Sequence, residues 1–155
     1  MEHRPFTFAD LEWLVARHAD LYGREAGFGP AFAGDVRAVA EGFLARADPA
    51  EAAWIPWQDG MPQGSLFLVR DRDDARLKLV LLEPARRGQG HGRALLALAM
   101  RTARANGYPR IRVSTYDLHA AACRLYAAAG FAETARLPAR AYGRSLVERR
   151  FSRPL

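Results

Sequence analysis

Apolar residues recur along the chain with two periods, and each period predicts a different kind of element. Spacings of three and four positions are typical of amphipathic helices. They predict helices over residues 10–26, 31–47, 90–105 and 119–129, the first of which Thr7 or Asp10 can cap. Short alternating or continuous apolar runs predict strands over residues 6–8, 53–57, 65–69, 77–82, 111–115, 131–137 and 145–151.

The order of these elements is strand, two helices, three strands, helix, strand, helix, two strands. It predicts a mixed α/β fold whose central sheet of six or seven strands has about four helices distributed over its two faces. The regular alternation of a doubly wound fold is absent. With no internal repeat and no linker-like stretch, we expect residues 1–155 to form a single domain.

Composition and charge narrow the function classes. One cysteine, Cys123, excludes an internal disulfide and favours a reducing, cytoplasmic setting. The apolar runs, such as residues 79–82, are far too short to span a membrane, and the first residues lack the apolar core of a signal peptide. The net charge is +6, but basic residues are scattered among acidic ones, so we expect no nucleic-acid surface. A positive field does favour encounter with a polyanionic cofactor.

A glycine-rich loop, Arg87-Gly88-Gln89-Gly90-His91-Gly92, lies between a buried strand and a helix. Glycine allows positive φ and close approach of the backbone, and the amides at a helix N-terminus bind anions. The loop therefore predicts a phosphate or pyrophosphate site, the alternative being a glycine-rich turn without a ligand. It continues Gly92-Arg93-Ala94, which lacks the Lys-Ser/Thr ending of a Walker loop, and its glycine spacing differs from the Rossmann pattern.

The loop resembles the Gln/Arg-x-x-Gly-x-Gly/Ala motif of the GNAT superfamily of N-acetyltransferases. A second match downstream, to that family's "Asn-x-x-Ala-x-x-Leu-Tyr…Gly-Phe" segment, comprises Ala122, Leu125-Tyr126 and Gly130-Phe131. Over nearly the whole chain, the sequence resembles the acetyltransferase domain found fused to MarR-type regulators. That resemblance includes Arg17-His18, Leu21-Tyr22, Glu25, Gly27-Phe28, Asp48-Pro49 and Trp54-Ile55.

The resemblance implies acetyl-CoA as cofactor and a splayed pair of central strands, residues 77–82 and 111–115. In that case backbone groups of Val80 and Leu82 bind the pantetheine arm, which lies in the gap between the two strands. The loop at 87–92 then binds the pyrophosphate. His119 stands where the family motif usually has a cofactor-contacting Asn, so we expect an altered contact there.

The implied chemistry is direct attack of a neutral amine on a thioester through a tetrahedral intermediate. Tyr126 matches the family's general acid, which protonates the leaving thiolate; the alternative is a core aromatic residue. Glu83 is the candidate general base, with a solvated charge at the end of a strand as the alternative. Glu25 is a candidate counter-ion for the amine, with Tyr22 and Phe28 as an aromatic wall beside it; the alternative is an ordinary amphipathic helix end.

We therefore expect an acetyl-CoA-dependent N-acetyltransferase that acts on a primary amine, in the first instance that of a small molecule. The first two helices and the connection at residues 137–145 should wall the acceptor site. Alternatives are a protein or peptide N-acetyltransferase, a non-catalytic acetyl-CoA sensor and a nucleic-acid binder. We expect no metal, because no histidines and carboxylates share a helix with ligand spacing, and either a monomer or a homodimer.

Overall fold

Eight strands and four helices follow one another in an order close to the predicted one. The computed structural model describes residues 1–155. The elements are β1 (Glu2–Pro5), α1 (Leu11–Ala26), α2 (Ala31–Arg46), β2 (Ala52–Gln58), β3 (Met61–Pro62), β4 (Gly64–Asp71), β5 (Asp74–Leu82), α3 (His91–Ala105), β6 (Arg110–Tyr116), α4 (Ala120–Ala128), β7 (Ala132–Ala141) and β8 (Arg144–Pro154). No helix is long and apolar enough to cross a membrane.

The strands form one mixed sheet in the order β1-β2-β4-β5-β6-β8-β7, and the two-residue strand β3 pairs with β2 beside this path. All neighbouring strands are antiparallel except β5 and β6, which are parallel and connected through α3. The predicted mixed α/β fold is thus confirmed, with a seven-stranded path through the sheet.

Helices cover both faces of the sheet, because successive residues of a strand point to opposite sides. In β4, Leu66 and Leu68 pack in one core with residues of α3 and α4. Their neighbours Phe67 and Val69 pack in a second core with residues of α1 and α2. Strand β4 therefore lies between two hydrophobic cores, and residues 64–69 are buried throughout.

The strand predicted at residues 6–8 is wrong. Strand β1 ends at Pro5, and Phe8 is 75% exposed in a short 3-10 turn that leads into α1. The Asp10 carboxylate accepts a hydrogen bond from the backbone amide of Thr7 at 2.8 Å, which closes a capping box. Helix capping therefore determines the conformation of a segment whose alternating apolar residues resemble a strand.

The long connection predicted between the last two strands is also wrong. Strand β7 runs on to Ala141, and only Tyr142 and Gly143 separate it from β8. Both have positive φ, 52° and 79°, as in the two-residue turns that join antiparallel strands. Pro138 does not interrupt β7 because this strand lies at the edge of the sheet, where one side of the backbone needs no partner.

Gly64 is a position where the fold requires glycine. A Cβ atom at residue 64 would overlap with the backbone oxygen of Leu81 on the neighbouring strand β5. We expect Gly64→Ala to lower the free energy of unfolding by roughly 1–3 kcal/mol, since the strands must shift apart. Urea denaturation measures this loss.

Gly23→Ala is the matched control. Gly23 lies inside α1, and a Cβ there meets no atom within 4 Å. This variant should be more stable than the native chain by about 0.5–1 kcal/mol. A Gly64→Ala variant as stable as the native chain would contradict the close β4–β5 approach.

Candidate functional site

The central parallel strands separate over most of their length. Strands β5 and β6 pair only at Ala75↔Ile111 and Arg76↔Arg112, and beyond these positions their backbones are no longer bonded to each other. On its other side β5 remains paired with β4 as far as Leu82. A gap therefore opens towards the C-terminal ends of both strands, at the place predicted for the splayed pair.

A backbone irregularity in β5 faces this gap. The β4–β5 register shifts between Ser65 and Phe67, and Leu79 on the opposite strand has φ of 50°, which is rare for a residue with a branched apolar side chain. The Ser65 hydroxyl donates a 2.5 Å hydrogen bond to the Leu79 carbonyl. Such bulges redirect the backbone groups that follow, here those of Val80.

A cavity of about 680 Å³ fills the gap and continues to the glycine-rich loop. One wall comes from α1, through Leu21, Tyr22 and Glu25, and the opposite wall comes from α3 and α4. Its sides include residues of both separated strands, so the cavity passes between the two layers of helices. Of the residues predicted to bind the cofactor, it is lined by Val80, Leu82, Arg87, Gly88, Gly90, Gly92 and His119.

The glycine-rich loop presents backbone rather than side chains to the cavity. Gly88 and Gly90 have φ of 71° and 84°, and no atom lies within 4 Å of a Cβ built on either. Helix α3 begins at His91, and its first intrahelical bond runs from the Ala94 amide to the Gly90 carbonyl at 3.1 Å. The amides before Ala94 therefore have no partner in the helix, which is the arrangement that binds an anion.

Gln89 and His91 contribute in another way. The Gln89 side-chain amide donates to the Ala85 carbonyl at 2.8 Å, which ties the loop to the turn before it. Neither side chain is among those that line the cavity. Any contact of these two residues with a pyrophosphate would therefore come from their backbone amides.

Tyr126 lies on α4, packed against Phe131 and Phe151 at ring-centroid distances of 5.8 Å. It is 2% exposed and still forms part of the cavity wall. Burial raises the pKa of its phenol well above the ordinary value, so the hydroxyl keeps its proton at neutral pH. Tyr126 is thus a core aromatic residue whose ring also borders the cavity.

His119 and Tyr22 both line the cavity and are in edge-to-face contact, with ring centroids 4.9 Å apart. Burial lowers the pKa of His119, so its imidazole is neutral at pH 7, and its buried Nε2 has no hydrogen-bond partner. Burial, with a smaller effect of Glu25, raises the pKa of Tyr22 to about 12. The Tyr22 hydroxyl donates a long hydrogen bond, 3.5 Å, to the Val80 carbonyl.

Glu25 and Arg87, predicted for the amine and for the cofactor, bind each other. Both guanidinium NH2 groups of Arg87 donate to the Glu25 carboxylate at 2.9 Å, and its Nε donates to the Leu82 carbonyl at 3.0 Å. Both side chains line the cavity. This bidentate pair joins the end of α1 to the glycine-rich loop, and such pairs are geometrically specific.

Glu83 is bound by Arg17 from α1, with Nε and Nη2 donating to its two carboxylate oxygens at 2.6 and 2.8 Å. The Glu83 side chain is 19% exposed and does not line the cavity. Arg17 also donates to Asp20 at 2.8 Å. The sequence indicated no role for Arg17, because its partner is 66 residues away and no local pattern connects them.

Phe28 belongs to a cluster of aromatic residues at the end of α1. Its ring lies 4.9 Å from Tyr142 and 5.1 Å from Phe32, measured between centroids, and it is 8% exposed. It does not line the cavity, so it supports Tyr22, 5.6 Å away, from behind. The sequence missed Tyr116 in this cluster, since only the fold brings β6 next to residue 28.

Comparisons with known proteins agree with this geometry. The model of the acetyltransferase (GNAT) family matches residues 15–131. Ribosomal-protein-alanine N-acetyltransferase from Brucella melitensis is 23% identical, with a TM-score of 0.83 over 100% of both chains. An N-acetyltransferase from Staphylococcus aureus Mu50 is 16% identical, with a TM-score of 0.82 over 99% of this chain and 97% of that one.

A third structure was solved with a ligand. Phosphinothricin acetyltransferase from Sinorhizobium meliloti, in complex with acetyl-CoA, is 19% identical, with a TM-score of 0.79. The match covers 99% of this chain and 88% of that one.

Proposed function

Because the chain belongs to the acetyltransferase (GNAT) family, we propose that it transfers an acetyl group from acetyl-CoA to the primary amine of a small molecule. The observation that supports this most directly is the continuity of one cavity. It joins the unpaired edges of β5 and β6, the free amides at the start of α3 and the buried phenol of Tyr126. A transferase needs the three together: a place for an extended donor, a site for its phosphates and an acid at its reacting end.

The residues present fit acetyl-CoA. Free amides of the glycine-rich loop suit a pyrophosphate. The backbone of β5 at Val80 and Leu82, which no longer pairs with β6, suits the two amides of a pantetheine arm, which pair as an added strand would. The pantetheine arm would share or displace the bonds that the two carbonyls accept from Tyr22 and Arg87. Acetyl-CoA supplies an activated acetyl thioester. His119 would touch it through a neutral imidazole at the position where the family motif usually has Asn, and a neutral ring can donate one hydrogen bond.

The acceptor amine approaches from the side of α1. Tyr22 and Glu25 line that wall of the cavity, and the carboxylate can hold an alkylammonium while the ring borders it. Arg87 now occupies the Glu25 carboxylate. A pyrophosphate that attracts Arg87 would weaken this pair and make Glu25 available to the amine.

Two other functions are compatible with the same site. The Brucella relative is named for a protein substrate and the Sinorhizobium relative for a small molecule. A peptide amine is therefore the second candidate for the acceptor, and a non-catalytic sensor is the third reading. Within the family, we also propose that the chain is related to the acetyltransferase domains fused to MarR-type regulators. A screen of amines, amino acids and peptides with detection of free thiol separates the readings, since a sensor binds acetyl-CoA without turnover.

Tyr126→Phe tests the general acid. The substitution removes one oxygen from a buried residue and keeps its ring packing. We expect kcat to fall roughly 10²- to 10⁴-fold, as for the loss of a positioned acid, while the Kd for acetyl-CoA stays near the native value. Turnover and calorimetry measure the two quantities, and a kcat within a factor of about three of native would assign Tyr126 to packing alone.

Glu83→Gln and Arg17→Met test the predicted general base. Because Arg17 holds both carboxylate oxygens, Glu83 acts either as a base or as an anchor of α1. A base role predicts that Glu83→Gln lowers kcat at least about 100-fold. Arg17→Met, which keeps the carboxylate, should then cost less than about 10-fold. Equal losses in the two variants would exclude the base and leave a positioning role.

A further inference from the structure

The cavity is lined by the only lysine of the chain, near the positions where β5 and β6 still pair. Of the 23 Lys and Arg residues, Lys78 alone is lysine. It lies on β5, two residues after the last β5–β6 backbone pair at Arg76, and it lines the cavity. Lysine differs from arginine in one chemical respect that matters here: it can lose its proton and act as a nucleophile.

The position of Lys78 along the strand corresponds to the reacting end of a bound donor. The loop meets β5 at Leu82, whose carbonyl accepts from Arg87. From Leu82 to Lys78 there are four residue steps, at most roughly 13 Å of strand, because the bulge at Leu79 shortens this stretch. An extended pantetheine arm between pyrophosphate and sulfur spans roughly 15 Å. A donor that is anchored at the loop and lies along β5 therefore brings its thioester to the level of Lys78.

Lys78 also lies on the acceptor side of the sheet. Leu77 packs into the core beneath α3 and α4, so the next residue points to the opposite face. On that face Lys78 borders a second, smaller pocket together with Val39 of α2. The side chain is exposed and forms no ion pair. Three carboxylates line the same pocket, and each is bound to an arginine: Asp48 to Arg70, Glu51 to Arg46 and Asp71 to Arg76. The Lys78 amine is therefore not bound to any of them.

We propose that this protein acetylates its own Lys78, in a reaction that rests on the proposed use of acetyl-CoA. The Lys78 ammonium first gives one proton to water. The lone pair of Nζ then forms a bond to the thioester carbonyl carbon, and the C–S bond breaks. The second amine proton is lost as the amide forms, and Tyr126 or water protonates the departing thiolate. The products are N-acetylated Lys78, free CoA and one net proton.

Acetylation removes the charge of Lys78, a cation of the cavity lining that forms no ion pair. It replaces a charge in the lining of the cavity with a neutral amide. An acetylated chain should therefore acetylate cationic and anionic amines with an altered preference. Lys78 is the only side-chain amine in the sequence, so acetylation of side chains adds one acetyl group.

Intact-mass spectrometry of the full chain, incubated with acetyl-CoA and no acceptor, tests the proposal. We expect one added acetyl group, which peptide mapping places on Lys78. Lys78→Arg should abolish it. The double variant K78R/R101K keeps one lysine but moves it to an exposed position of α3 outside the cavity. The lysine introduced there should react at least about 100-fold more slowly, because it lacks the proximity that the cavity supplies.

The outcomes distinguish a failure of self-acetylation from a failure of the proposed acetyltransferase function. Suppression of the adduct by excess CoA, together with the slow double variant, supports reaction inside the cavity. Equal rates in the native chain and in K78R/R101K would mean ordinary solution acetylation and would overturn the proposal. If calorimetry shows acetyl-CoA binding but no adduct forms, self-acetylation is wrong and the proposed function stands. If acetyl-CoA does not bind, both proposals fail.

Discussion

Backbone amides and carbonyls inside a protein need partners, and the centre of this sheet does not supply them to one another. Strands β5 and β6 stop pairing after Arg76 and Arg112, although each stays bonded to its outer neighbour. One hydrophobic core contains residues of both β5 and β6, and on the other face a smaller cluster joins Ala26 at the end of α1 to Leu146 of β8, so both halves of the sheet are held in place across the gap. The result is an interior strand edge open to a ligand, and the remaining features of the site are arranged around it.

Ion pairs connect this gap to its surroundings. Arg17 binds Glu83 at the end of β5, and Arg87 in the loop binds Glu25 on α1, so the same helix is attached at two points of the cavity rim. These contacts fix the wall that an acceptor would meet. Both carboxylates in these pairs, Glu25 and Glu83, were predicted as site residues. A reaction that uses either carboxylate would have to break its ion pair or proceed with the pair intact.

The parts of the site that the sequence predicted are those with local causes. Glycine spacing before α3 predicted the loop, and apolar periodicity predicted the four helices within one or two residues. The bulge at Leu79 and the ion pairs of Arg17 and Arg87 were not predictable, because their causes lie on other elements. The partners of Arg17 and Arg87 are 66 and 62 residues away, respectively. Pro138 led to the wrong prediction of a long connection for a similar reason, since only the sheet order shows that β7 is an edge strand.

The most direct test of the account is calorimetric titration with acetyl-CoA of the native chain and of two glycine variants. Gly90 and Gly107 have nearly the same φ, 84° and 81°, and neither has an atom within 4 Å of a built Cβ. Only Gly90 lines the cavity. We predict micromolar binding to the native chain and to Gly107→Glu, and none to Gly90→Glu, whose carboxylate would repel the pyrophosphate. Failure of the native chain to bind, or equal binding by both variants, would contradict the assignment of the loop and the gap as the acetyl-CoA site.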